Sequence, residues 1–578
     1  MKRMLLAVNA KYIHSNLAVY SLKAYAEKYG YSVCMREFTI NQREDEILRE
    51  LYREAPDVLA VSVYIWNVTL VRELLWDISR ILPGTELWLG GPEVSFCSGD
   101  ILEELPFLSG IMRGEGEETF ACLCRFWEER ESKGDFRGLE AVPGITWRDG
   151  EGMVRSNPDR EPLDLDELPF PYQGTEDLRN RIIYYESSRG CPFNCSYCLS
   201  SVDKKLRFRS LPLVYKELQF FIDAKVPQVK FVDRTFNCQH EHAMGIWKYI
   251  KEHDNGITNF HFEISADLLR EDELELISDM RPGLIQLEIG VQSTNGDTIR
   301  EIHRTMRLEE VYRAVNRVKA GKNIHQHLDL IAGLPFEDYQ RFQQSFNDIY
   351  ALHPQQLQLG FLKVLKGSYM YEHAQEYGLV YRSRPPYEVM ASKWVSYDEM
   401  LEIRLVEEML ELHYNSGQFL TYLAVLEWKY DSTFQMFLDM GHFYREHGYL
   451  DCSHSRVRRT EIVQEFAEIV DPERRDIYRE ALIFDLYKIE KSKSRPFWAK
   501  NVQQDKRQTG KYLREHGMEK KYCHFEYFEH INEKGEITEE KDPLWLLFDY
   551  ENRDSLTNEA ALFRIDEMGL QSGCGGVQ

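Results

Sequence analysis

The sequence predicts an α/β chain: a doubly wound parallel sheet in front, six further βα units behind it, and a mainly helical last third. Three observations carry this. Apolar runs alternate with helix-period stretches through about the first 140 residues. Six more strand-like runs follow at regular intervals between 182 and 362, with helical stretches between them. From about Tyr371 the period is helical. A length of 578 residues fits about three or four domains at roughly 150 residues each.

In front, strands are expected at 4–8, 32–38, 58–63, 86–89 and 111–113. Ala18, Leu22, Tyr25 and Tyr29 share one helical face, and Gly30 stops that helix. Further helices are expected at 44–54 and 68–82, and a last one carries Phe120, Leu123, Cys124 and Trp127 on one side. The polar and glycine-rich loops follow strands: 9–16 with His14, Ser15 and Asn16; 62–67 with Ser62, Tyr64 and Trp66; Gly90-Gly91-Pro92-Glu93; and Gly114-Glu115-Gly116-Glu117. All four fall at the carboxyl edge of the sheet, where open α/β sheets bind ligands. One such loop alone reads equally as a strand end; four on one edge favour a binding surface.

A hairpin is expected where 145–148 and 153–155 flank an Asp-Gly-Glu-Gly turn, and the proline- and acid-rich stretch 157–171 reads as a linker. The barrel-like strands are expected at 182–187, 228–232, 260–264, 284–291, 327–331 and 356–362.

Residues 188–200 read SRGCPFNCSYCLS, placing Cys191, Cys195 and Cys198 in a C-x3-C-x2-C spacing. Three thiolates on one loop can hold three irons of a [4Fe–4S] cube and leave the fourth open, whereas zinc wants four protein ligands. Cys238 is the next cysteine and could join only through folding.

This loop, with Tyr197 before its last cysteine, resembles the radical S-adenosylmethionine (SAM) superfamily. The six units match that superfamily's partial (β/α)6 barrel. The resemblance implies SAM chelated to the open iron, with Asp233 and Arg234 near its methionyl part, Glu263, Gln292 and Ser293 near its sugar or carboxylate, and Tyr197 and the stretch Ile331–Leu334, with Gly333, near its adenine. The GGE triplet common after the second strand is absent. Leu287, Ile289 and Val291 alternate with Glu288, Gly290 and Gln292, so one set faces the barrel interior; an inward Gln292 needs a partner, either ligand or protein.

A flavodoxin-like domain before such a barrel resembles the cobalamin-dependent branch, and the four front loops resemble its cobalamin-binding loops. By that resemblance the candidate cobalamin contacts are His14, Ser15, Asn16, Ser62, Tyr64, Trp66, Gly90, Gly91, Pro92, Glu93, Gly114, Glu115, Gly116 and Glu117. The D-x-H-x-x-G motif is incomplete: His14 stands without its aspartate and glycine. It therefore ligates cobalt, bonds the corrin edge, or caps the following helix. The resemblance implies a methyltransferase acting on an unactivated carbon through a 5′-deoxyadenosyl radical and methylcobalamin. Two alternatives stand beside it: a cyclase or rearrangement enzyme using both cofactors, and a cobalamin or redox sensor.

The expected domains are 1–150, a linker at 151–178, the barrel at 179–370, and a substrate-shaping helical region at 371–578. In the last, Leu401, Leu405, Met409 and Leu412 form one stripe, strands are expected at 524–532 and 544–550, and Cys574 lies in a glycine-rich tail. With 95 acidic and 71 basic residues the net charge is −24, which disfavours nucleic acid. A small-molecule, lipid or peptide substrate and a flavodoxin or ferredoxin as electron donor are expected. No apolar run reaches the roughly 18 residues of a membrane span. Eleven cysteines without a disulfide-like pattern point to the cytoplasm.

Overall fold

The structure is a computed structural model and describes residues 1–133, 138–174, 181–202, 204–500 and 506–565. Cys574 and the end of the expected linker lie outside them. The chain forms two compact units: residues 1–324, 333–338 and 360–396 make the first, and 325–332, 339–359 and 397–578 the second.

The first unit opens with β1 (Arg3–Asn9), α1 (Leu17–Lys28), β2 (Cys34–Thr39), α2 (Glu44–Glu54), β3 (Val58–Ser62), α3 (Val68–Ile81) and β4 (Glu86–Gly90). Then come α4 (Pro92–Ser95), α5 (Ser98–Glu104), β5 (Leu108–Met112), α6 (Glu117–Lys133) and the hairpin β6 (Ile145–Arg148) and β7 (Val154–Ser156). The sheet order is β2-β1-β3-β4-β5-β6-β7. The first five strands are parallel, and the hairpin adds two antiparallel ones. Each face is covered by its own apolar core: Leu6, Val8, Val61 and Leu89 pack toward α2, α3 and α5, while Leu5, Ala7, Ala60 and Trp88 pack toward α1 and α6. Burial on both faces is why these strands read as continuous apolar runs. The fifth strand begins three residues earlier than expected, at Leu108, because Ser109 and Gly110 break the apolar run; the ladder passes them with a register shift, Leu87 pairing with Leu108 and Trp88 with Gly110.

The unit continues with β8 (Ile183–Tyr185), β9 (Ser188–Arg189), β10 (Arg207–Phe208), α7 (Leu211–Asp223), β11 (Gln228–Phe231) and α8 (His240–Glu252). Next are β12 (Asn259–Ile264), α9 (Glu271–Ser278), β13 (Ile285–Gln292), α10 (Gly296–Glu301) and α11 (Leu308–Gly321). β8, β11, β12 and β13 pair in that order, all parallel. Val229, Phe231, Phe260 and Phe262 are buried, whereas Lys230, His261 and Glu263 alternate with them on the opposite side of their strands. β9 and β10 form a two-residue antiparallel ladder around the cysteine loop, pairing Arg189 with Arg207.

The second unit holds β14 (His325–Ala332), α12 (Tyr339–Tyr350) and most of β15 (Gln356–Phe361). Thus the last two barrel-like strands occur where the sequence places them. Short elements α13 (Tyr369–Glu372), β16 (Val380–Tyr381) and β17 (Val389–Ala391) belong to the first unit. The second resumes with α14 (Tyr397–Met409), a π-helical turn at Leu410–Asn415, α15 (Leu420–Glu427), α16 (Thr433–Glu446), α17 (Arg456–Val470), α18 (Arg475–Ile489) and α19 (Lys506–Glu515). It closes with an antiparallel sheet of β18 (Cys523–Phe528), β19 (Leu544–Arg553) and β20 (Ala560–Ile565). The helical expectation for this region thus omitted β20, whose run Ala-Ala-Leu-Phe-Arg-Ile has a mixed period. The aromatics Tyr422, Phe434 and Phe437 are core residues.

Candidate functional site

The cysteine loop begins as β8 ends. Cys191 and Cys195 are buried and Cys198 is half-buried. The loop is anchored on several sides. Ser196 N–H donates to the Ile302 carbonyl at 2.9 Å, and its own carbonyl accepts from Met370 N–H at 2.9 Å. Asp233 accepts from Ser187 N–H at 3.0 Å, Ser187 Oγ at 2.7 Å and Ser188 Oγ at 2.5 Å. His242 Nε2 lies 3.0 Å from Ser187 Oγ. Burial pushes the Asp233 carboxyl up to about 6 and the His242 imidazole down to about 4. Asp233 therefore braces the start of the loop through these three bonds. Thr235 Oγ1 stands 3.7 Å from Cys191 Sγ. Cys238 comes within electrostatic reach of Cys191, and burial pushes its thiol up to about 11.

Three arginines, all unforeseen, contact the loop or the strands that flank it. Arg189 donates to Glu117 at 2.5 and 3.3 Å and to Glu186 at 2.8 Å, and lies 3.5 Å from Glu115. Arg207 donates twice to Glu115, once at 3.1 Å. Glu115 and Glu117 thus commit their carboxylates to barrel arginines. Arg304 Nη1 lies 3.7 Å from Cys195 Sγ and 3.4 Å from the Tyr197 hydroxyl, and Nη2 donates to the Gly290 carbonyl. No local sequence signal marks these arginines for the loop, because their contacts to Glu117, Glu115 and Cys195 span 72, 92 and 109 positions.

At the end of β13, Gln292 adopts φ +74 and is 9% exposed, and its Oε1 is buried without a hydrogen-bond partner. A Cβ on Gly290 would press into the Gln292 amide, so glycine there lets that side chain fold back along the strand. Ser293 Oγ donates to Glu337 at 2.6 Å. Glu263 lies 3.9 Å from Lys230. Arg234 is exposed, Ile331 belongs to β14 of the second unit, and Gly333 turns at φ +86.

Three of the four front loops meet one another. Asn16 accepts from Val19 N–H as the cap of α1 and donates to Ser62 Oγ at 3.1 Å. Asn16, and not His14, is therefore the helix cap. His14 Nδ1 pairs with the Tyr184 hydroxyl at 2.7 Å, and Ser15 Oγ donates to the Ile182 carbonyl. The tautomer-setting partner that the sequence lacks locally thus comes from β8. Burial, with Lys11 and Lys230 nearby, lowers the His14 pKa and favours neutral imidazole. Tyr64 and Trp66 stack at 4.3 Å with planes 7° apart; Trp66 donates to the Val8 carbonyl, yet is 44% exposed. Gly91 has φ +112, and a Cβ there would collide with the Val63 carbonyl oxygen. Pro92 starts α4, and Glu93 accepts from Tyr387. The result is a shallow apolar shelf with bare backbone at its edge, a fit for a broad flat ring. The three thiols on one doubly anchored loop fit a cube with one open iron.

Residues 3–123 match the B12 binding domain, 185–349 the radical SAM superfamily, and 375–548 a family described as a protein of unknown function, DUF4080. The chain therefore carries a cobalamin-binding domain followed by a radical SAM domain. The cofactors of these two domains are a [4Fe–4S] cluster with SAM, and cobalamin. It is 28% identical over 326 residues to the 2-(S-pantetheinyl)-carbapenam-3-carboxylate methyltransferase of Streptantibioticus cattleyicolor, a match covering 51% of this chain and 45% of that one. It is 23% identical over 354 residues to the anaerobic magnesium-protoporphyrin IX monomethyl ester cyclase of Cereibacter sphaeroides, covering 57% and 55%. The chain spans about half the length of the curated relatives it matches. Among solved structures, the radical SAM methyltransferase TsrM of Kitasatospora setae, with cobalamin and [4Fe–4S] cluster bound, superimposes with a TM-score of 0.54 at 18% identity, covering 67% of this chain and 80% of that one. No helix among the described residues is long and apolar enough to cross a membrane.

Proposed function

We propose that the chain is a cobalamin-dependent radical SAM methyltransferase acting on an unactivated carbon of a small-molecule, lipid or peptide substrate. One observation carries the reading: the cysteine loop and the Tyr64–Trp66 stack, with its exposed indole, occur in one unit, and the loop's Arg189 is held by Glu115 and Glu117 from the front domain. When bound, SAM with the cluster supplies a one-electron cleavage, and cobalamin supplies a methyl carrier.

The chain's own groups hold and orient. Cys191, Cys195 and Cys198 are the proposed cluster ligands. Gln292, with its unpartnered Oε1, would take a donor from SAM; Tyr197 and Gly333 would border the adenine. Tyr64, Trp66, Gly90 and Gly91 would carry the corrin, and His14 would present a neutral Nε2 to it. We take 1–150, 179–370 and 371–578 as the working domains, the last shaping the substrate site. The proposed setting is the cytoplasm, with a flavodoxin or ferredoxin as electron donor.

Anaerobic reconstitution with iron, sulfide and cobalamin, followed by dithionite and SAM, tests this. Brown protein, 5′-deoxyadenosine and S-adenosylhomocysteine are expected. A sample that stays colourless, or a triple Cys191→Ala, Cys195→Ala, Cys198→Ala variant with an unchanged iron spectrum, would end the reading. The similarity to the cyclase favours a second outcome, ring closure, which would yield 5′-deoxyadenosine without S-adenosylhomocysteine.

A further inference from the structure

Arg304 sits in the turn between α10 and α11, far in sequence from the cysteine loop but packed behind it. Two contacts fix this turn to the loop. One is the backbone bond from Ser196 N–H to the Ile302 carbonyl at 2.9 Å. The other is the guanidinium itself, whose Nη1 lies 3.7 Å from Cys195 Sγ and 3.4 Å from the Tyr197 hydroxyl. Nη2 is tied to the Gly290 carbonyl, so the fork cannot swing away. Nε is buried without a partner. Among the described residues no Glu or Asp is paired with Arg304, and its Nη1 faces sulfur and phenol.

A cluster ligated by Cys195 becomes more negative by one charge on reduction. A fixed cation and N–H donor against one of its thiolates stabilises that added electron, and does so strongly where water is excluded. Hydrogen bonds to sulfur and local charge are the levers by which proteins set such potentials. We propose that Arg304 is a positioning residue that raises the reduction potential of the iron–sulfur cluster through Cys195, bringing it within reach of a physiological one-electron donor. This rests on reading Cys191, Cys195 and Cys198 as the cluster ligands.

The test is a dithionite redox titration followed by the electron paramagnetic resonance of the reduced cluster, on the full chain with iron and sulfide counted. In Arg304→Gln, an about tenfold lower ratio of reduced to oxidised cluster is expected at the wild-type midpoint, a shift of about 59 mV to the negative for a one-electron couple. Arg304→Lys keeps the charge but cannot hold both Gly290 and the sulfur, and its midpoint should fall between the two. An unchanged midpoint in a fully loaded Arg304→Gln overturns the proposal. If that variant loads no cluster, Arg304→Lys decides, and a wild-type midpoint there overturns it. Failure of both variants to load assigns the residue a structural part and also overturns it. A wild-type chain without a cluster would instead overturn the ligand assignment, so the two failures are distinguishable.

Discussion

Glu117 and Arg189 meet at 2.5 Å, joining the glycine-rich loop after β5 to the strand that leads into the cysteines. Their side chains are 5% and 14% exposed, so this pair lies in low dielectric, where breaking one partner costs more than the pair itself contributes. Glu117→Gln should lower the opening free energy of the cysteine loop by about 3 kcal/mol. Amide hydrogen exchange across 186–198 measures it; unaltered exchange would show that Glu115 and Glu186 suffice.

Gly91→Ala should fail on two counts. Its φ of +112 is a region that L side chains avoid, and the added methyl meets the Val63 carbonyl. A loss of about 3 kcal/mol is expected, with cobalamin no longer retained on gel filtration. A variant that melts like the parent and holds cobalamin would contradict the close approach.

Trp66→Ala should separate binding from folding. The ring is 44% exposed, so stability should change by less than about 1 kcal/mol. Loss of the shelf should weaken cobalamin about tenfold, equivalent to about 1.4 kcal/mol. Absorbance titration of hydroxocobalamin reads the affinity, and equal affinities would remove Trp66 from the corrin site.

His413, in the π-helical turn, is fully buried, and neither ring nitrogen has a hydrogen-bond partner among the described residues. Burial, helped by Arg459, pushes its pKa down to about 3 from an ordinary 6.5. The unfolded chain therefore binds a proton below pH 6.5 that the folded chain refuses until near pH 3. The contribution is fully present above pH 6.5 and is lost as pH falls, by up to about 1.4 kcal/mol per pH unit. Acid unfolding followed by circular dichroism should show a shallower slope for His413→Leu, by about one proton. An identical slope would mean that His413 titrates normally.

The strands and the cysteine loop were legible because each announces itself locally. Leu5, Ala7, Leu59 and Val61 make runs, and Cys191, Cys195 and Cys198 make a spacing. The candidate cobalamin loops were legible as positions, because carboxyl ends of parallel strands share an edge. What the side chains there do was less so. Glu115, Glu117 and Asp233 look like ligand groups in one dimension, but their partners Arg207, Arg189 and Ser187 arrive only through folding. Arg304 shows the reverse: an unremarked arginine among several gains its meaning from a sulfur 109 positions away. The missed β20 is a matter of period, since its exposed Arg564 and half-buried Leu562 blur the alternation.

The small ladder of β9 and β10 sets two guanidinium-bearing residues, Arg189 and Arg207, directly across from each other. Like charges in that register repel unless carboxylates sit between them, and two of the three that do so, Glu115 and Glu117, are encoded far upstream, ahead of the proline-rich connector. A gene cut at that connector would thus yield a downstream fragment in which Glu186 alone is left to offset both cationic rungs, so the cysteine loop of that fragment would be held less firmly than in the intact translation product.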